Sequence, residues 1–213
     1  MVTLDLGGVQ HKDFTRFIDE KSVILCVRLG LHLAHMNIFV LSEDPIEAAQ
    51  MMCDKHVVKM ILESGQMLCA AHPVGAAPWK RTHYNHPCTV WVRTSSANYE
   101  WLAAHGLALC EEYTRRYGRR HASEDVLIWC AEHVPETVPK GPQTPFAVAI
   151  RNQEYHLSDA VSSYRAYYLG DKVRFARWRY TNPPSWWSCS IDGDSARGGH
   201  DKKLETVTDE SDR

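Results

Sequence analysis

Between Pro45 and Ala71 the chain repeats apolar or small residues every three to four positions: Ile46, Ala49, Cys53, Val57, Ile61, Ser64 and Leu68. On an α-helix these fall on one stripe, the face that a core covers. Beside that stripe, at spacings of three, four and seven, stand His56, Lys59, Met60 and Glu63. Ser42-Glu43-Asp44-Pro45 is a helix-entry signal with proline at an early position, and His72-Pro73 is a stop. A single helix over 45–71 is predicted. The largely apolar segment 36–41 ahead of it is expected to be short and extended.

The same reading continues down the chain. A loop over 75–87 carries Trp79, Lys80, Arg81, His83, Asn85 and His86. Thr94-Ser95-Ser96 caps a second long helix that should stop at Gly118, after the basic turn Arg115-Arg116. Ser123-Glu124-Asp125 opens a third helix reaching about His133. Pro135, Pro139, Pro142 and Pro145 impose a non-helical connector. Ser158-Asp159 starts a fourth helix, and Pro183-Pro184 should end the folded part. Trp91, Tyr99, Trp101 and Trp129 are expected to pack in the core. The predicted class is all-α, a compact helical domain with one short extended N-terminal segment and long loops.

Composition narrows the picture. A length of 213 residues suits one domain with tails. Three regions are expected: 1–35, an extension without clean periodicity that has the character of a mis-called start; 36–187, the helical domain; and 188–213, a disordered acidic tail. Met36 is the expected initiator. No apolar run is long enough to span a bilayer, and seven cysteines without regular spacing argue against a secreted disulfide framework. A cytoplasmic monomer with reduced thiols is expected. The net charge is −2, close to neutral outside the tail, so any affinity for nucleic acid has to come from local clusters. Candidates are Arg81, His83 and His86 in the loop, Arg115 and Arg116, and Arg165, Lys172, Arg174 and Arg177 among the aromatics of 164–180. Tyr164, Tyr168, Phe175 and Trp178 in that segment suit base stacking and core packing equally.

Two constellations carry chemistry. Glu63, with Lys59 one turn and His56 two turns before it, is either a solvated helix edge or a held general acid/base. Cys53, His56, His86 and Cys88 form an alternative zinc set, since a helical Cys-x-x-His pair can ligate together. That alternative makes the protein a zinc-stabilised, non-catalytic module binding nucleic acid or a partner protein.

Asp54-x-His56 followed by Glu63, the Tyr84-Asn85-His86-Pro87 motif, and the basic aromatic segment from Ser163 to Lys172 resemble the phage pyrimidine dimer DNA glycosylases of the endonuclease V type. The resemblance spans roughly residues 36–180. It implies an all-α DNA repair enzyme, a glycosylase with abasic-site lyase activity on damaged pyrimidines, working through a Schiff base without a cofactor on damaged double-stranded DNA in the cytoplasm of a host cell. It also implies that a free α-amine attacks the sugar C1′, that Glu63 stabilises the sugar cation and assists β-elimination, and that His56 orients the sugar. The amine belongs to the region of Met36 and Asn37; with residues 1–35 attached, Lys59 or Lys55 is the alternative nucleophile. The arginines that commonly neighbour the family's glutamate are missing, leaving Lys59 and Arg81 as substitutes.

Overall fold

The computed structural model describes residues 36–188, and the expectations for 1–35 and for the tail beyond Ser188 lie outside them. Seven α-helices and no strand occur among the described residues, in keeping with the all-α reading: α1 Pro45–Met51, α2 Asp54–Ala71, α3 Pro87–Val92, α4 Ser96–Tyr117, α5 Glu124–Glu132, α6 Ala160–Tyr167 and α7 Ser185–Ser188. Helices α2 and α4 pack on each other at the centre. Against them lie α1 on α4, α5 on both, and α3 on α2 and α4.

The expected single helix over 45–71 is two. Asp44 caps α1, its Oδ1 accepting from the backbone N–H of Ile46 at 2.9 Å and of Glu47 at 2.8 Å. Met52 and Cys53 then turn extended, with ψ of 140° and 158°. The break follows from where the last carbonyls of α1 find donors. The Arg116 guanidinium donates to the Gln50 carbonyl at 3.0 Å and the Met52 carbonyl at 2.8 Å, and Trp178 Nε1 donates to Met51 at 3.1 Å. Donors from distant segments thus replace the next helical turn. The apolar stripe survives across the break, buried from Ala49 to Leu68, but Ile46, at the start of α1, is 52% exposed.

Elsewhere the caps lie where the sequence predicts them. Ser95 Oγ accepts from Asn98 N–H at 3.2 Å to begin α4, and Gly118, at φ +66°, ends it. Asp159 caps α6 through Ser162 N–H at 2.8 Å. The Pro-rich connector runs without helix and is stitched to the start of α4 by Asn98 Nδ2 to Thr144 Oγ1 at 2.7 Å and Thr144 N–H to Asn98 Oδ1 at 2.9 Å. Two short helices were not predicted. One is α3, which His86 and Pro87 open; the other is α7, which follows Pro184 and so extends the fold past the expected end.

Residues 36–41 are buried in the core but do not form a strand. Asn37 Oδ1 accepts from the N–H of Ile38 at 2.8 Å and of Phe39 at 3.1 Å, and Phe39 sits at φ +53°. This side-chain turn gives the segment its bend.

Candidate active site

Helix α2 presents Glu63 towards the bent segment rather than to solvent. Glu63 is 7% exposed, and both of its carboxylate oxygens are held. Oε2 accepts the backbone N–H of Asn37 at 3.0 Å, and Oε1 pairs with Lys59 Nζ at 2.8 Å. Burial raises the Glu63 pKa; the Lys59 ammonium, the Asn37 N–H and the charge of nearby His83 oppose that rise. The carboxylate is thus buried and fixed at both oxygens, one on a backbone nitrogen and the other on a half-exposed lysine.

Asn37 is itself fixed on three sides. Its Nδ2 donates to the Ala149 carbonyl at 3.0 Å, its Oδ1 closes the turn described above, and its backbone N–H points at Glu63. Met36, immediately before it, is buried, and its Sδ accepts the Thr89 hydroxyl at 3.6 Å.

His56 is not open to solvent, as orienting a sugar would require. It is buried, stacked on Phe39 with ring centroids 4.2 Å apart, and flanked edge-on by Tyr168 and Phe175. Its Nδ1 is hydrogen-bonded to the Tyr168 hydroxyl. Desolvation, with Lys172 and Lys59 nearby, lowers its pKa to about 3, so the ring is neutral. It touches Phe39, two residues after Asn37, and therefore acts on the site as packing.

The remaining sequence candidates divide. Lys59 and His83 are exposed and close to Glu63; Lys55 instead lies over Phe175, with its Nζ 5.3 Å from the ring centroid. Arg81 donates to the His72 carbonyl at 2.6 Å and covers the Tyr84 ring. His86 caps α3, its Nδ1 accepting from Cys88 N–H at 3.2 Å. Lys172 Nζ donates to the Tyr167 hydroxyl at 2.8 Å and lies over the Phe39, Tyr167 and Phe175 rings. Arg174 and Arg177 reach solvent.

Three expectations change. Arg116 is no surface cation: its side chain is fully buried, paired with Glu112 at 2.9 Å and Asp54 at 3.2 Å. Arg115 is exposed but spent on Glu112 at 2.6 Å. Arg165 ties Leu41 through its carbonyl at 2.9 Å and lies over Trp186. Of the ambiguous aromatics, Tyr164 and Tyr168 are wholly buried and belong to the core. The zinc alternative loses its site as well, because no group of three or more His, Cys, Asp or Glu among the described residues is arranged to hold a metal ion. Cys53 and Cys88 are buried thiols whose pKa values burial raises, that of Cys88 to about 12. A cleft of about 400 Å³, lined by Gln50, Met51, Arg115 and Asn182 among others, includes none of the Glu63 cluster.

The order Asn37, His56, Glu63 and the nitrogen–carboxylate contact that closes it carry a family likeness that can be tested directly. Residues 36–125 match the family model of pyrimidine dimer DNA glycosylase. The match begins at Met36 and covers the bent segment, the loop and the helices through the start of α5, less than half of the whole chain. It includes every residue of the Glu63 cluster. No curated protein and no solved structure matches the chain significantly. No helix among the described residues is long and apolar enough to cross a membrane. Within the matched segment, sequence reasoning missed Tyr84 as a stacked ring and Arg93 beside it. Arg93 terminates a six-residue helix, too short to give a periodic signal.

Proposed function

We propose that this chain is a DNA glycosylase with abasic-site lyase activity on damaged pyrimidines in duplex DNA, with the nitrogen of Asn37 as its nucleophile. The observation that carries this reading is the 3.0 Å contact between that nitrogen and Glu63 Oε2. While Met36 is attached the nitrogen is an amide, its lone pair delocalised into the carbonyl, and it cannot attack. A chain beginning at Asn37 carries there an α-amine with an ordinary pKa of about 8, partly unprotonated near neutrality. Loss of Met36 also vacates the buried space its side chain fills against Thr89.

The chemistry then runs in two steps. The amine attacks the sugar C1′, the bond from C1′ to the base breaks with its electron pair leaving on the base, and ring opening yields a protonated Schiff base. Removal of a C2′ proton next expels the 3′ phosphate by β-elimination, nicking the strand. Glu63 takes the proton that the amine sheds and opposes the developing positive charge, while Lys59 keeps the carboxylate aimed. His56 keeps Phe39, and through it the Asn37 turn, in register.

Borohydride reduction tests the reading. Protein prepared with Asn37 as its first residue is expected to form a covalent adduct with abasic duplex, because reduction locks only a Schiff base. The same protein with its amine acetylated should form none. Absence of an adduct in both preparations overturns the proposal.

A further inference from the structure

The loop next to Glu63 holds a charge arrangement that the catalytic reading leaves unused. The guanidinium carbon of Arg93 lies 3.5 Å from the centroid of the Tyr84 ring, and that of Arg81 lies 4.3 Å from the same centroid. Tyr84 follows His83, whose charge acts on Glu63, and is 40% exposed. Among the described residues neither Arg81 nor Arg93 is ion-paired with a carboxylate. Arg93 Nη1, moreover, is shielded from solvent and has no hydrogen-bond partner.

Two like charges gathered on one ring, one with an orphaned buried donor, are costly without an anion between or beside them. Cation–π attraction to the ring offsets only part of that cost. The backbone around them is nevertheless firmly set. Arg93 is the C-terminal cap of α3, with Thr94 Oγ1 bonded to the Val90 carbonyl at 2.9 Å and Asn98 Nδ2 to the Trp91 carbonyl at 2.8 Å. On the other side, Arg81 is tied to the His72 carbonyl, and Trp79 lies so close over Gly65 of α2 that an added Cβ would come within 2.6 Å of its ring. The stack is therefore a preorganised receptor rather than a mobile surface.

We infer that Arg93 and Arg81, spaced by Tyr84, form a clamp for one backbone phosphate of the DNA strand that lies across the Glu63 site. The guanidinium fork supplies paired donors to phosphate oxygens, and the ring keeps its plane fixed. The inference rests on the glycosylase reading for the identity of the anion, a phosphodiester of a polynucleotide. Such a contact fixes the register of the strand and carries no base information.

The test is the salt dependence of binding to an undamaged duplex by the full chain, which requires no cleavage and so is independent of the chemistry. Loss of one phosphate contact lowers the slope of log affinity against log salt by about 0.9. Arg93→Ala is expected to show that drop, with affinity reduced roughly tenfold at low salt. Arg93→Lys should keep the slope, because the charge remains, yet bind several-fold more weakly, because the fork is gone. Wild-type slope and affinity in Arg93→Ala overturn the clamp. So does an Arg93→Ala defect that melting traces to unfolding, when Arg93→Lys binds as tightly as wild type. A deoxynucleoside monophosphate that binds as tightly as duplex, and does so through Arg93, would move the site to free nucleotides and equally overturn it. Failure of the glycosylase reading shows instead in the wild-type protein, as duplex binding with the full salt slope but no adduct in borohydride trapping.

Discussion

Glu63 is held at some cost to the fold. Its pKa is raised chiefly by burial, so the native state favours the protonated acid more than the unfolded chain does. The stabilising contribution of a group shifted in that direction is fully present below its ordinary value of 4.5 and is lost as pH rises through the folded value. Glu63→Gln, neutral at every pH, should therefore melt no lower than wild type at pH 7, with its relative advantage disappearing below pH 4.5. The same variant should lose strand cleavage by on the order of 10²–10⁴-fold while keeping DNA affinity. Equal losses of cleavage and binding would point to a folding defect instead. His56 has the opposite sign. Its pKa falls from 6.5 to about 3, so its contribution is present above 6.5 and is lost as pH drops through that window. Urea titrations should show stability declining from pH 6.5 to about 3 more steeply in wild type than in His56→Gln. Parallel pH profiles would contradict the buried, neutral assignment.

At the scale of elements, the break between α1 and α2 depends on a residue from α4. Arg116 collects the Gln50 and Met52 carbonyls and the carboxylates of Glu112 and Asp54, while Asp54 Oδ2 in turn accepts the backbone N–H of Arg179 at 2.8 Å. Arg116→Ala leaves the buried Asp54 carboxylate without its cation and Glu112 with Arg115 alone, and should cost about 3–5 kcal/mol in urea unfolding. A loss below about 1 kcal/mol would place the network among weak surface pairs. The network also explains what sequence patterns reveal and what they miss. Caps such as Asp44, Ser95, Gly118 and Asp159 are local chemistry, bonding within three or four residues of themselves, and each is legible from the sequence. The Met52–Cys53 break has no local breaker residue; its donors come from 64 and more positions away. Helical periodicity therefore runs straight through it.

At the scale of the whole molecule, the same distinction governs the site. Glu63 and Lys59 share a helix at i and i+4, so their pairing is written in their spacing. Asn37 reaches them from 26 residues away along a segment whose bend comes from its own side chain, and the resemblance, not the periodicity, located it. The basic residues were harder to place, because an arginine has the same sequence character on the surface and in a buried network. Arg116 turns inward to Asp54 and Arg93 stacks on Tyr84, and nothing in their sequence spacing marks either placement. Charge is balanced over the helical domain, so strand binding has to be local; Lys59 and His83 are the cations beside Glu63, and Arg81 and Arg93 gather on the ring of Tyr84, which follows His83. The most direct measurement is peptide mapping by mass spectrometry of the borohydride-reduced adduct between abasic duplex and protein beginning at Asn37. The account predicts the sugar remnant on the Asn37 nitrogen. A remnant on Lys59 or Lys55, or an adduct that forms equally well with the Asn37 amine blocked, would contradict it.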